Sequence, residues 1–152
     1  MAIKDINRKP FIEDNDSNIY IGIDLPIRKS EGKEGYFAST KTTIEAVKNN
    51  ISNLIQTHSG ERLFQPRLGL NLRKFLFEQF NEDIILEIQN EILDALESWL
   101  PFVEVSDIQV SDDNNKLNIN IIFNIKQDPN TLDSVQIGIT KNDSENVVGN
   151  TY

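Results

Sequence analysis

The sequence has no cysteine, one histidine (His58), one methionine and one tryptophan. Each scarcity removes a class of chemistry. Without cysteine there is neither a disulfide frame nor a thiol nucleophile, and a lone imidazole cannot assemble a zinc site of the usual ligand type. No metal and no cofactor are expected. His58 and Ser59 are chain neighbours, and adjacency does not give a nucleophile and its base the facing geometry of a triad, so His58 reads as a cation at a helix C-terminus. Lysine and arginine are also outnumbered, 15 against 24 acids, for a formal charge of -9. That balance opposes contact with phosphates and so excludes nucleic acid as a partner. No apolar run approaches the roughly 20 residues that cross a bilayer, and the start of the chain lacks an apolar signal core, so no membrane association is expected.

At 152 residues the chain has the size of one domain with a core of its own. Its most informative stretch is residues 60–78, GERLFQPRLGLNLRKFLFE, which no ordinary helix or strand pattern explains. Gly60 stands where a helix needs a left-handed cap, Pro66 forbids continuation of helix or sheet, and Gly69 frees the backbone two residues after Arg67. Around that proline lie Glu61, Arg62, Gln65, Arg67 and Arg73, interleaved with Leu63, Phe64, Leu68, Leu70 and Leu72. The combination predicts a rigid turn that holds guanidinium forks at fixed angles, suited to carboxylates or carbonyls of a partner protein. The competing reading keeps Arg67 inside the chain, on turn carbonyls or paired with Glu61. Phe64 and Phe75 read as core.

Residues 1–18 mix charges with Pro10 and show no period, which reads as an N-terminal arm. Ile19, Ile21, Ile23 and Leu25 alternate with polar positions, predicting a half-buried edge strand stopped by Pro26. A charged loop with two glycines follows, after which Tyr36 and Phe37 are expected to return to the core. Thr42 and Glu45 fit a capping box, and Ile44, Val47, Ile51, Leu54 and Ile55 keep helical spacing to the His58-Ser59-Gly60 stop. Leu72, Phe75, Leu76 and Phe80 predict a short helix. Asn81 opens a longer one with Glu82 and Asp83 in its first turn, ended by Pro101.

The period then changes from helical to alternating. Val103 and Val105 lead out of phase into Ile108 and Val110, which predicts a bulge at Ser106 and Asp107. Residues 112–115 form a turn, and Leu117, Ile119, Ile121, Phe123 and Ile125 give a strict period-two strand with asparagines opposite. Asp128, Pro129 and Asn130 read as a turn before a last strand carrying Val135, Ile137 and Ile139. Residues 141–152 read as a polar tail. The expected fold is α+β: two main helices packed on one face of a small antiparallel sheet, with an N-terminal edge strand, in a single domain over residues 19–140.

Together with GIDLPIR and GYFAST upstream, the segment at residues 60–78 resembles the signature of the phage baseplate wedge family, the GPW-like sheath initiators of contractile tails, with relatives in type VI secretion baseplates. The likeness is closest over residues 19–78 and continues to residue 139 by pattern. It implies a non-enzymatic virion protein of the tail baseplate, assembled in the host cytoplasm. Its implied partners are other baseplate wedge proteins, the tail sheath protein, and the tail tube or baseplate hub. Partner binding would fall on Glu61, Arg62, Gln65, Pro66, Arg67 and Arg73, with Gln65 standing where the family commonly has glutamate. The strand of Val135, Ile137 and Ile139 would offer its edge to sheath protein. Two other classes stay open: a peptidoglycan-degrading tail lysozyme, since some relatives have carried that label, and a small adaptor binding extended segments. A glycosidase needs two carboxyls roughly 5 to 10 Å apart, and Glu61 and Glu78 have no defined second acid.

Overall fold

A computed structural model of the chain describes residues 16, 18–30, 35–113, 116–126 and 128–140. Most of the arm read over residues 1–18 and all of the tail at 141–152 lie outside them. The chain divides into two compact units, Met1–Asn49 and Asn50–Tyr152.

In the first unit β1 (Gly22–Ile23) pairs antiparallel with β2 (Ser39–Thr40), Gly22 opposite Thr40. Flanking bonds lengthen the ribbon: Ile21 N–H donates to the Thr40 carbonyl at 3.0 Å, Asp24 N–H to Ala38 at 2.9 Å, and Ala38 N–H to Arg28 at 3.0 Å. Within the stretch read as a strand, residues 22–23 pair with β2 in a sheet separate from the larger one, and Ile19 and Ile23, expected on its buried face, are exposed. Tyr36 and Phe37, expected in the core, are exposed and stack edge to face at 5.0 Å. A two-stranded ribbon has no second layer of its own in which to bury them.

Helix α1 (Thr43–Gln56) begins at the predicted box. Glu45 N–H donates to Thr42 Oγ1 at 3.4 Å, while its carboxylate accepts from Lys41 N–H at 3.3 Å, one residue before the reciprocal bond of a standard box. Val47, Ile51, Leu54 and Ile55 are buried along one stripe, and the division between the units falls within this helix.

The second unit continues through a 3-10 helix (Leu72–Phe77) that buries Leu72, Phe75 and Leu76, then α2 (Glu82–Trp99), capped by Asn81 Oδ1 accepting from Ile84 N–H at 2.9 Å. Ile88, Ile92 and Leu96 form its buried stripe. Strands β3 (Val103–Asp113), β4 (Lys116–Ile125) and β5 (Asp128–Thr140) make an antiparallel sheet in that order. Ile121 faces Ile108 on one side and Val135 on the other, and Ile119 faces Val110 and Ile137, so one side of the sheet is a continuous apolar layer. Gln109, Asn120 and Gln136 line up on the opposite, wet side. The register breaks between Val105 and Asp107, where the change of phase predicted a bulge. β5 starts at Asp128, through residues that read as a turn; an edge strand tolerates a proline because one side of its backbone needs no partner. The α+β reading holds, with the sheet's apolar layer against α2.

Candidate functional site

The turn after α1 is built from backbone bonds. Thr57 N–H and its hydroxyl both donate to the Asn53 carbonyl, at 3.0 and 2.6 Å, ending the helix, and the Thr57 carbonyl accepts Leu70 N–H at 3.0 Å. Ser59 N–H donates to Leu70 at 3.3 Å and Gly60 N–H to the Pro66 carbonyl at 2.8 Å, closing residues 60–69 into an elbow. Inside it Gln65 N–H donates to Arg62 at 3.2 Å and Leu68 N–H to Gln65 at 3.0 Å.

The two glycines serve the elbow to different degrees. Gly60 has φ +92° and Gly69 φ +100°, in the left-handed region that side chains disfavour. At Gly69 a Cβ would also lie 2.3 Å from the Thr57 carbonyl oxygen, so the approach of the two arms depends on its absence.

With the backbone so occupied, residues 61–67 are all exposed. Glu61 turns back: its Oε2 accepts His58 N–H at 3.1 Å, bracing the elbow from within. Among the described residues the guanidinium groups of Arg62 and Arg67 meet no acceptor, and the alternative pairing of Arg67 with Glu61 is not formed. Gln65 and Pro66 lie between them on the same loop. Arg73 stands apart on the 3-10 helix, exposed and already engaged in an interaction. Phe75 is buried as expected, but Phe64 is 100% exposed, which overturns its reading as core, and Leu63 beside it is 95% exposed. They occupy the two central positions of the 62–65 turn.

A brace that local pattern does not reveal ties the elbow's exit to α2. Glu91 accepts Asn71 N–H at 3.0 Å through one oxygen and Lys74 Nζ at 3.0 Å through the other, and Lys74 lies 3.4 Å from Glu87. The hydrogen bond to Glu91 raises the Lys74 pKa above its ordinary value; burial opposes it, and the charge of Glu91 with the hydrogen bond and charge of Glu87 adds to the rise.

Val135, Ile137 and Ile139 lie on β5, which is an edge of the sheet. The first two side chains are buried, so this strand offers its backbone rather than those groups. The β3 edge differs. Its Ile108 carbonyl is occupied by Gln89 Nε2 of α2 at 2.7 Å, whereas acids and a break in register with β4 are found on both edge strands. On the wet side a depression of about 320 Å³ is lined by Gln109, Val110, Ser111, Asn118, Asn120 and Gln136.

The model of the family described as baseplate wedge protein gp25 matches residues 41–130, more than half of the chain, and takes in both helices and the whole elbow. A baseplate wedge protein gp25 of Enterobacteria phage T4 is 24% identical over 126 residues, covering 81% of this chain and 92% of that protein. Among solved structures, a candidate tail lysozyme from Geobacter sulfurreducens superposes with a TM-score of 0.61 at 23% identity, over 70% of this chain and 97% of that one. A chain of the anti-feeding prophage baseplate superposes with a TM-score of 0.53 at 21% identity, over 79% and 84%. At these identities the solved structures establish the fold.

Proposed function

This chain belongs to the baseplate wedge protein gp25 family, with a structural role in a contractile-tail baseplate, and from that premise we propose how it joins its neighbours. The elbow docks on other wedge proteins through Arg62, Gln65, Pro66 and Arg67, with Glu61 holding its shape and Arg73 at its margin. The β5 edge then accepts a strand from tail sheath protein and so sets the register in which the sheath begins. The observation that carries the docking is the pair of exposed guanidinium groups, without acceptors among the described residues, on a backbone fixed by its own hydrogen bonds. Buried or interfacial arginine forks recognise carboxylates in two contacts at once, so orientation comes with binding. Gln65, where the family commonly has an acid, keeps an acceptor without the charge, and its contact is a neutral hydrogen bond. Strand addition is favoured at β5 over β3 because the Ile108 carbonyl of β3 is already capped by the Gln89 side chain of α2.

A tail lysozyme is the second reading, prompted by the description of one solved relative. Against it, Glu61 and Glu78 are both exposed, whereas a glycosidase acid is held protonated in an apolar pocket. The two readings separate on one preparation. Purified chain, mixed with wedge proteins on a sizing column and assayed on peptidoglycan, is expected to form a complex and release no fragments; lysis without a complex would reverse the assignment. Proline substitutions at Val135 and Gln136, made singly, test the sheath edge. Alternate N–H groups of a strand face opposite sides, so one of the two faces the open edge and leaves the fold intact. That folded variant is expected to stop sheath growth on completed baseplates, and normal sheaths would exclude strand addition at β5.

A further inference from the structure

We propose that Phe64, with Leu63 beside it, is the anchor of the elbow, entering an apolar pocket on a neighbouring wedge protein whose rim carries carboxylates that meet Arg62 and Arg67. This rests on the docking reading above and assigns its energetic centre to a residue outside the charged set. The central positions of tight turns are usually taken by glycine, proline, asparagine, aspartate or serine, which accept the backbone angles and the solvent. Here they hold a leucine and a phenylalanine, 95% and 100% exposed.

Nothing in the turn's own stability asks for them. The elbow is closed by Gly60 to Pro66 and Gln65 to Arg62 backbone bonds, which any side chain at 63 and 64 would permit. A rigid loop presenting an aromatic side chain loses little conformational freedom when that ring is buried, which is the property of an interface hot spot. Partner chemistry follows from charge. The elbow, residues 60–69, carries Arg62 and Arg67 against Glu61, whose carboxylate is turned back onto His58 N–H, in a chain whose overall charge is -9. A basic, apolar-tipped projection on an acidic protein complements an acidic surface with an apolar hollow. An anionic lipid surface is disfavoured as the partner, because the negative charge of the rest of the chain opposes that approach.

The test compares Phe64→Ala, Phe64→Leu and Arg67→Ala in the full chain. Binding is measured to wedge subunits purified from the same particle, at low and high salt, with the thermal midpoint recorded for each variant. Phe64→Ala is expected to raise Kd by about 30-fold at both salt concentrations, mainly through faster dissociation, with an unchanged midpoint. Phe64→Leu recovers most of the affinity. Arg67→Ala weakens binding by a factor that shrinks as salt rises. If Arg67→Ala weakens binding and Phe64→Ala does not, the anchor is wrong while the docking surface stands. If neither variant changes Kd, the docking reading falls with it. A lowered midpoint for Phe64→Ala would place the ring in the fold instead. Wild-type binding to phosphatidylserine vesicles that Phe64→Ala abolishes would assign the tip to a membrane and overturn the proposal.

Discussion

The elbow and the β5 edge present opposite halves of the polypeptide. At the elbow the backbone is spent on internal hydrogen bonds while the side chains of residues 61–67 stand in solvent. Along β5 the side chains of Val135 and Ile137 are buried, and among the described residues one side of the backbone has no neighbouring strand in the sheet. A partner can read side-chain identity at the first and only register and hydrogen-bond pattern at the second. One surface is suited to choosing a partner, and the other to extending a sheet in a set register.

If that division is right, substitutions should separate fold from binding differently in the two regions. The largest loss of stability is expected from Ile137→Ala, about 3 kcal/mol in urea unfolding, because the side chain is 2% exposed and leaves a cavity opposite Ile119. Gly69→Ala follows at about 2 to 3 kcal/mol, combining a left-handed backbone with the collision at the Thr57 carbonyl. Gly60→Ala, with open space around it, should cost only about 1 kcal/mol, and an equal cost at the two glycines would mean that the arms of the elbow can separate. Arg62→Ala and Arg67→Ala should stay within about 0.5 kcal/mol of wild type, since neither guanidinium meets an acceptor among the described residues. The smallest effect concerns pH. Lys74 is raised in the folded chain, so its contribution is fully present below its unfolded pKa and lost as pH rises through the folded value. Lys74→Met should flatten the alkaline limb of stability slightly, the pair with Glu91 being partly exposed to solvent.

How much of this was legible beforehand differs by region for a physical reason. The helices and β4 follow from periods of 3.6 and 2, and the bulge at Ser106 and Asp107 from a break in phase, because burial on one face imposes spacing directly on the residues. The elbow was legible as a turn, since Gly60 and Gly69 suit a left-handed backbone and Pro66 stops helix and sheet. Its tip was not. Leu63 and Phe64 have the same composition whether they fill a core or face solvent, and only the tertiary course of the chain decides. Tyr36 and Phe37 were misread on the same ground. The Glu91 brace joins residues 20 positions apart, beyond any local pattern. Nor could an early strand start be read through Asp128, Pro129 and Asn130, because turn propensity and edge-strand tolerance favour the same residues there.

Hydroxyl-radical footprinting of Phe64 and Pro66, in the isolated chain and in assembled baseplates, tests most directly whether the elbow's side chains serve a neighbour. Strong reactivity in the free chain that falls several-fold on assembly is the expected result, with the already buried Ile51 and Leu54 unreactive in both states. Equal reactivity at Phe64 and Pro66 before and after assembly would contradict it.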